Sequence, residues 1–94
     1  MPIEANILEK IRNNDPHLTL LDLSHQSLQS SDLHELLDAW EHNTCLTALD
    51  MTGNPLCDEG ALLLSQNTRL CSLIAVGTRI ADKGASALAK HPKL

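Results

Sequence analysis

Aromatic side chains are almost missing from this 94-residue chain, which has no phenylalanine, no tyrosine and a single tryptophan, Trp40. Because aromatic rings usually contribute much of the area that a core buries, leucine and the smaller aliphatic residues must build the core here. A chain of this length has room for one domain, whose folding buries roughly 60 to 65 % of the surface of the unfolded chain. We therefore do not expect a two-domain enzyme.

Basic residues are also few, since seven Lys and Arg stand against twelve Asp and Glu and give a formal net charge of −5. A chain with this charge is not attracted to phosphate backbones or anionic membrane surfaces, so neither nucleic acid nor a membrane is an expected partner. The longest apolar runs, such as residues 61–64 and 73–76, are far shorter than a bilayer-spanning helix. The first residues lack the basic and apolar regions of a Sec-type signal peptide, which favours a soluble, cytoplasmic protein.

Cysteine occurs three times, at Cys45, Cys57 and Cys71, so the residues cannot all pair within one chain. The sequence has neither a Cys-x-x-Cys motif nor an Asn-x-Ser/Thr sequon. A secreted module held together by disulfides is therefore disfavoured, and we expect the thiols to lie in a reducing compartment.

Motifs that carry catalysis or bind a cofactor are missing as well, and phosphate-binding glycine loops do not occur. His34, Asp38 and His42 are spaced four residues apart on one helix, but the site would be exposed and would lack a fourth ligand for zinc. Cys57 stands beside two acidic residues, whose charges oppose the formation of a thiolate nucleophile. We expect no enzyme activity, no metal and no cofactor.

Leucine at regular intervals is the most prominent feature that the chain does have. The pattern Leu-x-x-Leu-x-Leu begins at Leu18, returns in related form at Leu46 and Leu70, and starts again at Leu94, so the copies are 28, 24 and 24 residues apart. Each of the first three copies is followed by a helix-like stretch, and a fixed period of this kind indicates a repeat architecture. We predict repeats over residues 18–45, 46–69 and 70–93, the start of a further repeat at residue 94, and an N-terminal capping helix within residues 1–17.

A repeat of this kind predicts parallel strands that alternate with antiparallel helices on the outer, convex side of the sheet. A strand–helix unit can bury its apolar side only by stacking on its neighbours. The strands are expected at Thr19–Ser24, Ala48–Thr52 and Ser72–Val76. The sequence therefore predicts an α/β solenoid with about three parallel strands.

The helices of the repeats have their own sequence signals. One column of polar residues, Ser30, Asp58 and Asp82, suits the N-caps of the three repeat helices. Four extra residues in the first repeat predict one additional turn in its helix. The apolar stripe of that helix is expected to face the sheet, and it consists of Leu33, Leu36, Leu37 and Trp40.

The segment from Leu46 to Leu64 resembles a leucine-rich repeat of the ribonuclease-inhibitor-like type. The 24-residue unit, with Asp-x-Gly-Ala and a closing Leu-Ala-x-x, is similar to repeats of bacterial proteins that include effectors of intracellular pathogens. The asparagine position of the family is filled by Asn54 in one copy, but by Gln26 and Thr78 in the others. The resemblance implies a short right-handed horseshoe that recognises a protein ligand on the concave face of its sheet.

Two functions follow from this resemblance. In one, the chain is a protein–protein interaction module, and as part of a bacterial effector it would act on a host protein in the host cell cytosol. In the other, it caps or spaces a larger multidomain protein whose activity lies elsewhere. The identity of the protein partner does not follow from the residues.

Alternation along the strands predicts which side chains form the concave face. The candidate protein-binding residues are Asp22, Ser24, His25, Asp50, Thr52, Ile74 and Val76. The face is expected to change from acidic on the first two strands to apolar on the third. Asp22 and Asp50 would lie about 5 Å apart, so holding both ionised costs energy unless a basic partner is near, and solvation and partner contact both remain open. Exposed Ile74 and Val76 favour contact with another polypeptide.

The strand of the third repeat is expected to form an open edge, because Leu94 begins a repeat whose strand and helix do not follow. The segment from residue 70 to residue 77 carries only apolar and small polar side chains. Three interpretations remain: a fragment of a longer solenoid, a homodimer that covers the edge, and a three-repeat protein that tolerates it.

Overall fold

The computed structural model describes residues 3–94, which form one helix followed by three strand–helix units. The helices and strands are α1 (Ala5–Arg12), β1 (Leu20–Asp22), α2 (Leu33–Trp40), β2 (Ala48–Asp50), α3 (Cys57–Ser65), β3 (Ser72–Ile74) and α4 (Asp82–Ala89). Among the described residues, no helix has the length and apolar character that a membrane span requires.

The three strands form one open parallel sheet in the order β1-β2-β3, as the repeat pattern predicts. Each strand has three residues and is shorter than predicted. The backbone pairing nevertheless continues beyond the strands, since His25 N–H donates to the Thr52 carbonyl at 2.8 Å and Gly53 N–H to the Val76 carbonyl at 2.9 Å. Three residues after the end of each strand the chain enters the left-handed region, at His25, Gly53 and Gly77, where φ is +56°, +78° and +65°.

Leucines fill the space between the sheet and the helices. The predicted stripe of α2 is confirmed, because Leu33, Leu36 and Trp40 are fully buried and Leu37 is half-buried. The indole N–H of Trp40 donates to the Leu46 carbonyl at 2.9 Å, so the large ring is buried without an unpaired donor. At the N-terminal end of the stack, the buried side chains of residues 3, 8 and 11 in and near α1 close the core.

The extra residues of the first repeat form one additional turn, as predicted, but it is a 3-10 turn before the helix and the α-helix itself is not longer. Helix α2 has eight residues and α3 has nine. A short 3-10 turn, Ser30–Asp32, precedes α2 instead, and Asp32 accepts the Gln29 N–H at 2.9 Å. A 3-10 turn can accommodate extra residues at a helix N-terminus, because nearby side chains can accept the free backbone N–H groups of the turn.

The prediction that Ser30, Asp58 and Asp82 cap the N-termini of their own helices is wrong. Neither α3 nor α4 has a side-chain hydrogen bond from its own N-cap residue. Asp58 lies inside α3, and its Oδ1 accepts the backbone N–H groups of Ala81 at 2.7 Å and Gly84 at 3.0 Å. Asp58 therefore caps the helix of the following repeat. A Cβ on Gly84 would lie 2.7 Å from Asp58 Oδ1, so only glycine allows this approach.

Asn54 joins the first two repeats through a completely buried amide. Its Oδ1 accepts the N–H groups of Gln26 at 3.0 Å and Leu28 at 2.9 Å, and its Nδ2 donates to the carbonyls of Leu23 at 2.8 Å and Met51 at 2.9 Å. Both the donors and the acceptor of the amide are thus used, and the two loops are held in one register.

A second polar column lies three residues before the first leucine of each repeat, and the sequence analysis missed it. Asn43 Oδ1 accepts the N–H of Leu46 at 2.7 Å, and Asn67 does the same for Leu70 at 3.0 Å. In the third repeat this position is His91, whose Nε2 is hydrogen-bonded to the Asn67 carbonyl. These residues shape the turns from each helix towards the next strand.

Replacing Asp58 with alanine should lower the free energy of unfolding by about 1.5 kcal/mol, because the N-terminus of α4 loses its acceptor. Asp82→Ala is the matched control. Both aspartates lie in the first turn of a helix, but Asp82 makes no side-chain cap bond, so its loss should cost less than about 0.5 kcal/mol. Urea unfolding followed by circular dichroism measures both values. Equal losses would contradict the inter-repeat cap.

Asn54→Ala should lower the free energy of unfolding by about 3 kcal/mol, because it leaves buried backbone N–H groups without an acceptor. Thr78→Ala is the control at the equivalent position of the third repeat. The Thr78 hydroxyl donates only to the Ala75 carbonyl of its own turn, at 2.8 Å, so about 1 kcal/mol is expected there. A smaller loss for Asn54→Ala than for Thr78→Ala in the same unfolding assay would refute this role.

Candidate protein-binding face

The side of the sheet opposite the helices carries three rows of side chains, which we call the sheet face. The pairing places Leu20 beside Ala48 and Ser72, and Asp22 beside Asp50 and Ile74. The next row lies two residues further along each strand and consists of Ser24, Thr52 and Val76. Six of the seven predicted binding residues therefore lie together on the sheet face, and only His25 lies outside its rows.

The two aspartates of the sheet face are register partners on adjacent strands, as predicted. Asp22 Oδ1 accepts the N–H of Ser24 at 2.9 Å and its hydroxyl at 2.6 Å. Asp50 Oδ1 accepts the N–H of Thr52 at 3.0 Å. Each carboxylate thus uses one oxygen to shape the end of its strand, and the second oxygen has no partner among residues 3–94.

The pKa of Asp22 lies below its ordinary value of 3.8, chiefly because the Ser24 hydroxyl donates a hydrogen bond to the carboxylate. The Ser24 backbone N–H lowers the pKa further, and His25 adds a smaller coulombic contribution, whereas desolvation opposes them. The expected cost of ionisation beside Asp50 is not among the causes of this shift, in which the two Ser24 bonds dominate. Asp22 is therefore ionised at neutral pH.

His25 stands at the edge of the sheet face, where the chain leaves β1. Its φ of +56° is the left-handed conformation that glycine adopts at the equivalent positions, residues 53 and 77. The imidazole covers Gly53, because a Cβ there would lie 2.6 Å from His25 Cε1. His25 therefore packs between the first two repeats. Its side chain is exposed at the border of the sheet face.

Aliphatic side chains occupy opposite corners of the sheet face. Val76 is 68 % exposed and Ile74 is 47 % exposed, while Leu20, on the first strand, is 57 % exposed. The expected change from an acidic to an apolar side is therefore incomplete, since Leu20 adds an apolar group beside Asp22. Alternation along the strand places Leu20 on this face, but Leu20 was not among the candidate binding residues, although it is more exposed than Ile74.

The helices offer no comparable site. His34 and Asp38, which were considered as metal ligands, are exposed beside an open groove between α2 and α3. Arg69 Nη2 lies in the same groove and donates to the Glu41 carbonyl at 2.9 Å. Across residues 3–94, no three histidine, cysteine or acidic side chains cluster as metal ligands would.

Comparison with known proteins identifies the repeat. A family described as Leucine Rich repeat matches residues 42–65. A solved structure of leiomodin-1 actin-binding site 2 is similar to this chain with a TM-score of 0.70 and 25 % identity, over 88 % of this chain and 51 % of that one. This chain thus spans about half the length of the leiomodin-1 structure. No curated protein matches it. The fold is that of a short leucine-rich-repeat solenoid with three parallel strands in an open sheet.

Ser24→Ala should raise the pKa of Asp22 towards its ordinary value, because the hydroxyl donor is lost while the backbone donor remains. A carboxyl group whose pKa is lowered by folding adds stability above its unfolded pKa, and loses it as the pH falls through the folded value. NMR titration of the Asp22 carboxyl measures the shift. Thr52→Ala, the equivalent change on the neighbouring strand, should leave the Asp22 titration unchanged, and an equal shift in both variants would contradict the assignment to Ser24.

Proposed function

We propose that this chain is a protein-binding module whose sheet face contacts the partner. The observation that carries the proposal is the composition of that face. Of the five large hydrophobic side chains that are exposed among residues 3–94, Leu20, Ile74 and Val76 lie on the sheet face. Exposed aliphatic groups gathered on one surface indicate an interaction site more strongly than the same groups scattered singly.

The backbone supports recognition because it presents these side chains from paired strands. The parallel pairing fixes the three rows relative to one another, so little conformational freedom remains to be lost on binding. Complete burial of an aliphatic side chain contributes roughly 1.5–3 kcal/mol, and the three exposed groups here are about half exposed. Burial of these three side chains by a partner can therefore contribute a few kcal/mol to the free energy of binding, which suits a surface that binds one defined partner.

The charges of the sheet face specify the chemistry of that partner. Asp22 is ionised, and both it and Asp50 keep one carboxylate oxygen without a partner in the described chain. Neighbouring strands lie about 4.8 Å apart, so Ile74 is roughly 10 Å from Asp22 across the sheet. We infer a partner that presents an arginine or lysine to the aspartates and an aliphatic side chain about 10 Å away.

Actin is the first partner to test, because the leiomodin-1 structure that resembles this chain is an actin-binding site. The sheet face and the actin partner are two separate parts of the proposal. A role as a bacterial effector that acts on a host protein stays a prediction from the sequence resemblance, as does a purely structural role within a larger protein.

The double change Asp22→Lys with Ile74→Glu should abolish binding to actin, because it reverses the charge of the acidic row and places a charge in the apolar one. Co-sedimentation measures binding to actin filaments, and fluorescence titration measures binding to monomeric actin. We expect at least a tenfold loss of affinity, which corresponds to about 1.4 kcal/mol.

The matched control carries the same substitutions on the helical side of the molecule. Asp38→Lys with Leu62→Glu changes an exposed aspartate and an exposed leucine, and it should leave the affinity unchanged. Equal losses in the two double variants would contradict the sheet face as the site. A wild-type chain that binds neither form of actin would remove actin as the partner.

A further inference from the structure

His25 brings a titratable side chain to the border of the sheet face in an unusual backbone conformation. Its φ of +56° lies in the left-handed region, which glycine adopts at the equivalent positions 53 and 77. A histidine is strained there, and strain at the edge of a binding surface is grounds for a hypothesis of function. The side chain is also exposed, so the pH of the solvent sets its charge.

The ring of His25 keeps its place because the second repeat lies under it. A Cβ on Gly53 would lie 2.6 Å from His25 Cε1, so the imidazole packs directly on the Gly53 backbone. The His25 N–H donates to the Thr52 carbonyl at 2.8 Å, which fixes the main chain beside the ring. The imidazole is therefore held next to the ends of β1 and β2, where the sheet face carries its two aspartates.

Two carboxylates, those of Asp22 and Asp50, supply the charge around this ring. Residues 18–29 and 46–56, which form the first two strands and the loops after them, contain no other charged residue apart from the histidine itself. The pKa of Asp22 is lowered chiefly by the hydrogen bonds described above and, to a smaller extent, by the positive charge of this imidazole. Arg79 belongs to the loop after β3, one repeat beyond the loop on which the ring packs.

A change of charge on this ring alters what the sheet face offers to a basic partner. Histidine side chains gain a proton between about pH 8 and pH 5, a range in which the other side chains ordinarily keep their charge. The neutral imidazole leaves both carboxylates free to attract an arginine or lysine. The imidazolium offsets the charge of the nearer carboxylate and repels the incoming cation.

We propose that protonation of His25 weakens the binding of the partner to the sheet face, so that the affinity falls as the pH falls. The inference rests on the proposed function, because it requires a partner that presents an arginine or lysine to Asp22 and Asp50. Two unit charges about 7 Å apart in water change an affinity roughly threefold, and the exclusion of water by the partner increases the effect. By thermodynamic linkage, the bound partner opposes the protonation of His25 to the same extent.

Fluorescence titration of actin at about pH 8 and about pH 6 tests the proposal. On lowering the pH, the wild-type chain should lose roughly threefold more affinity than His25→Asn, because asparagine stays neutral and tolerates the left-handed conformation. His34→Asn is the matched control: it removes an exposed histidine of α2, on the helical side, and should behave like the wild type. The titration of actin itself acts on all three chains alike, so the comparison isolates His25.

NMR titration of the chain alone separates the role of His25 from the choice of partner. His25→Asn should raise the pKa of Asp22, because the coulombic contribution of the imidazolium is lost while the bonds from Ser24 remain, and His34→Asn should leave it unchanged. The same spectra show whether each variant is folded.

Two results would overturn the role of His25 and leave the sheet face as the binding site. One is an unchanged Asp22 titration in His25→Asn, and the other is an equal dependence of actin binding on pH in this variant and the wild type. A wild-type chain that binds no actin at either pH would instead remove actin as the partner, and the pH effect on actin binding with it.

Discussion

A strand–helix repeat of this length has no core of its own, and this constraint shapes every other feature of the molecule. Its leucines are buried only where the next repeat lies against them, and the backbone groups of its loops need partners from the neighbouring loop. The Asn54 amide meets this need between the first two repeats, since it bonds backbone groups on both sides of the junction. The register that it fixes is the register that places Asp22 beside Asp50 on the sheet face.

Polar side chains satisfy backbone groups of a neighbouring repeat or turn throughout the stack, but the bonds differ from place to place. Asn54 bridges two loops, Asp58 accepts N–H groups from the next helix, and His91 reaches the carbonyl of Asn67. The backbone groups differ from one side chain to the next: Asn54 bonds N–H and carbonyl groups of loops, Asp58 accepts N–H groups at a helix N-terminus, and His91 bonds a carbonyl. At the asparagine position of the third repeat, the Thr78 hydroxyl bonds only within its own turn.

The leucine period predicted the parallel sheet, the strand order and the stripe of α2, because burial on one face leaves a regular trace in the sequence. Hydrogen bonds between repeats produce no regular pattern in the sequence, so the leucine period did not predict them. Asp58 looked like the cap of its own helix, since its true donors lie 23 and 26 residues further along the chain. The first two strands end earlier than predicted, at Asp22 and Asp50, whose carboxylates accept the N–H groups of Ser24 and Thr52, and alternation does not reveal these bonds. For the sheet face, alternation was sufficient to place six of the candidate residues, but it did not reveal how exposed Leu20 is on the same face.

The glycine at position 84 has a geometric consequence for the whole solenoid. Strands in a sheet are about 4.8 Å apart, whereas packed helices usually keep their axes 8–10 Å apart, and this difference bends a stack of repeats into an arc. With no side chain at Gly84, the first turns of α3 and α4 approach until a methyl group would collide with Ala61. The helical layer is thereby shortened on that side, and the arc opens. A protein that docks on the sheet can then present a broad, gently rounded surface instead of a narrow ridge.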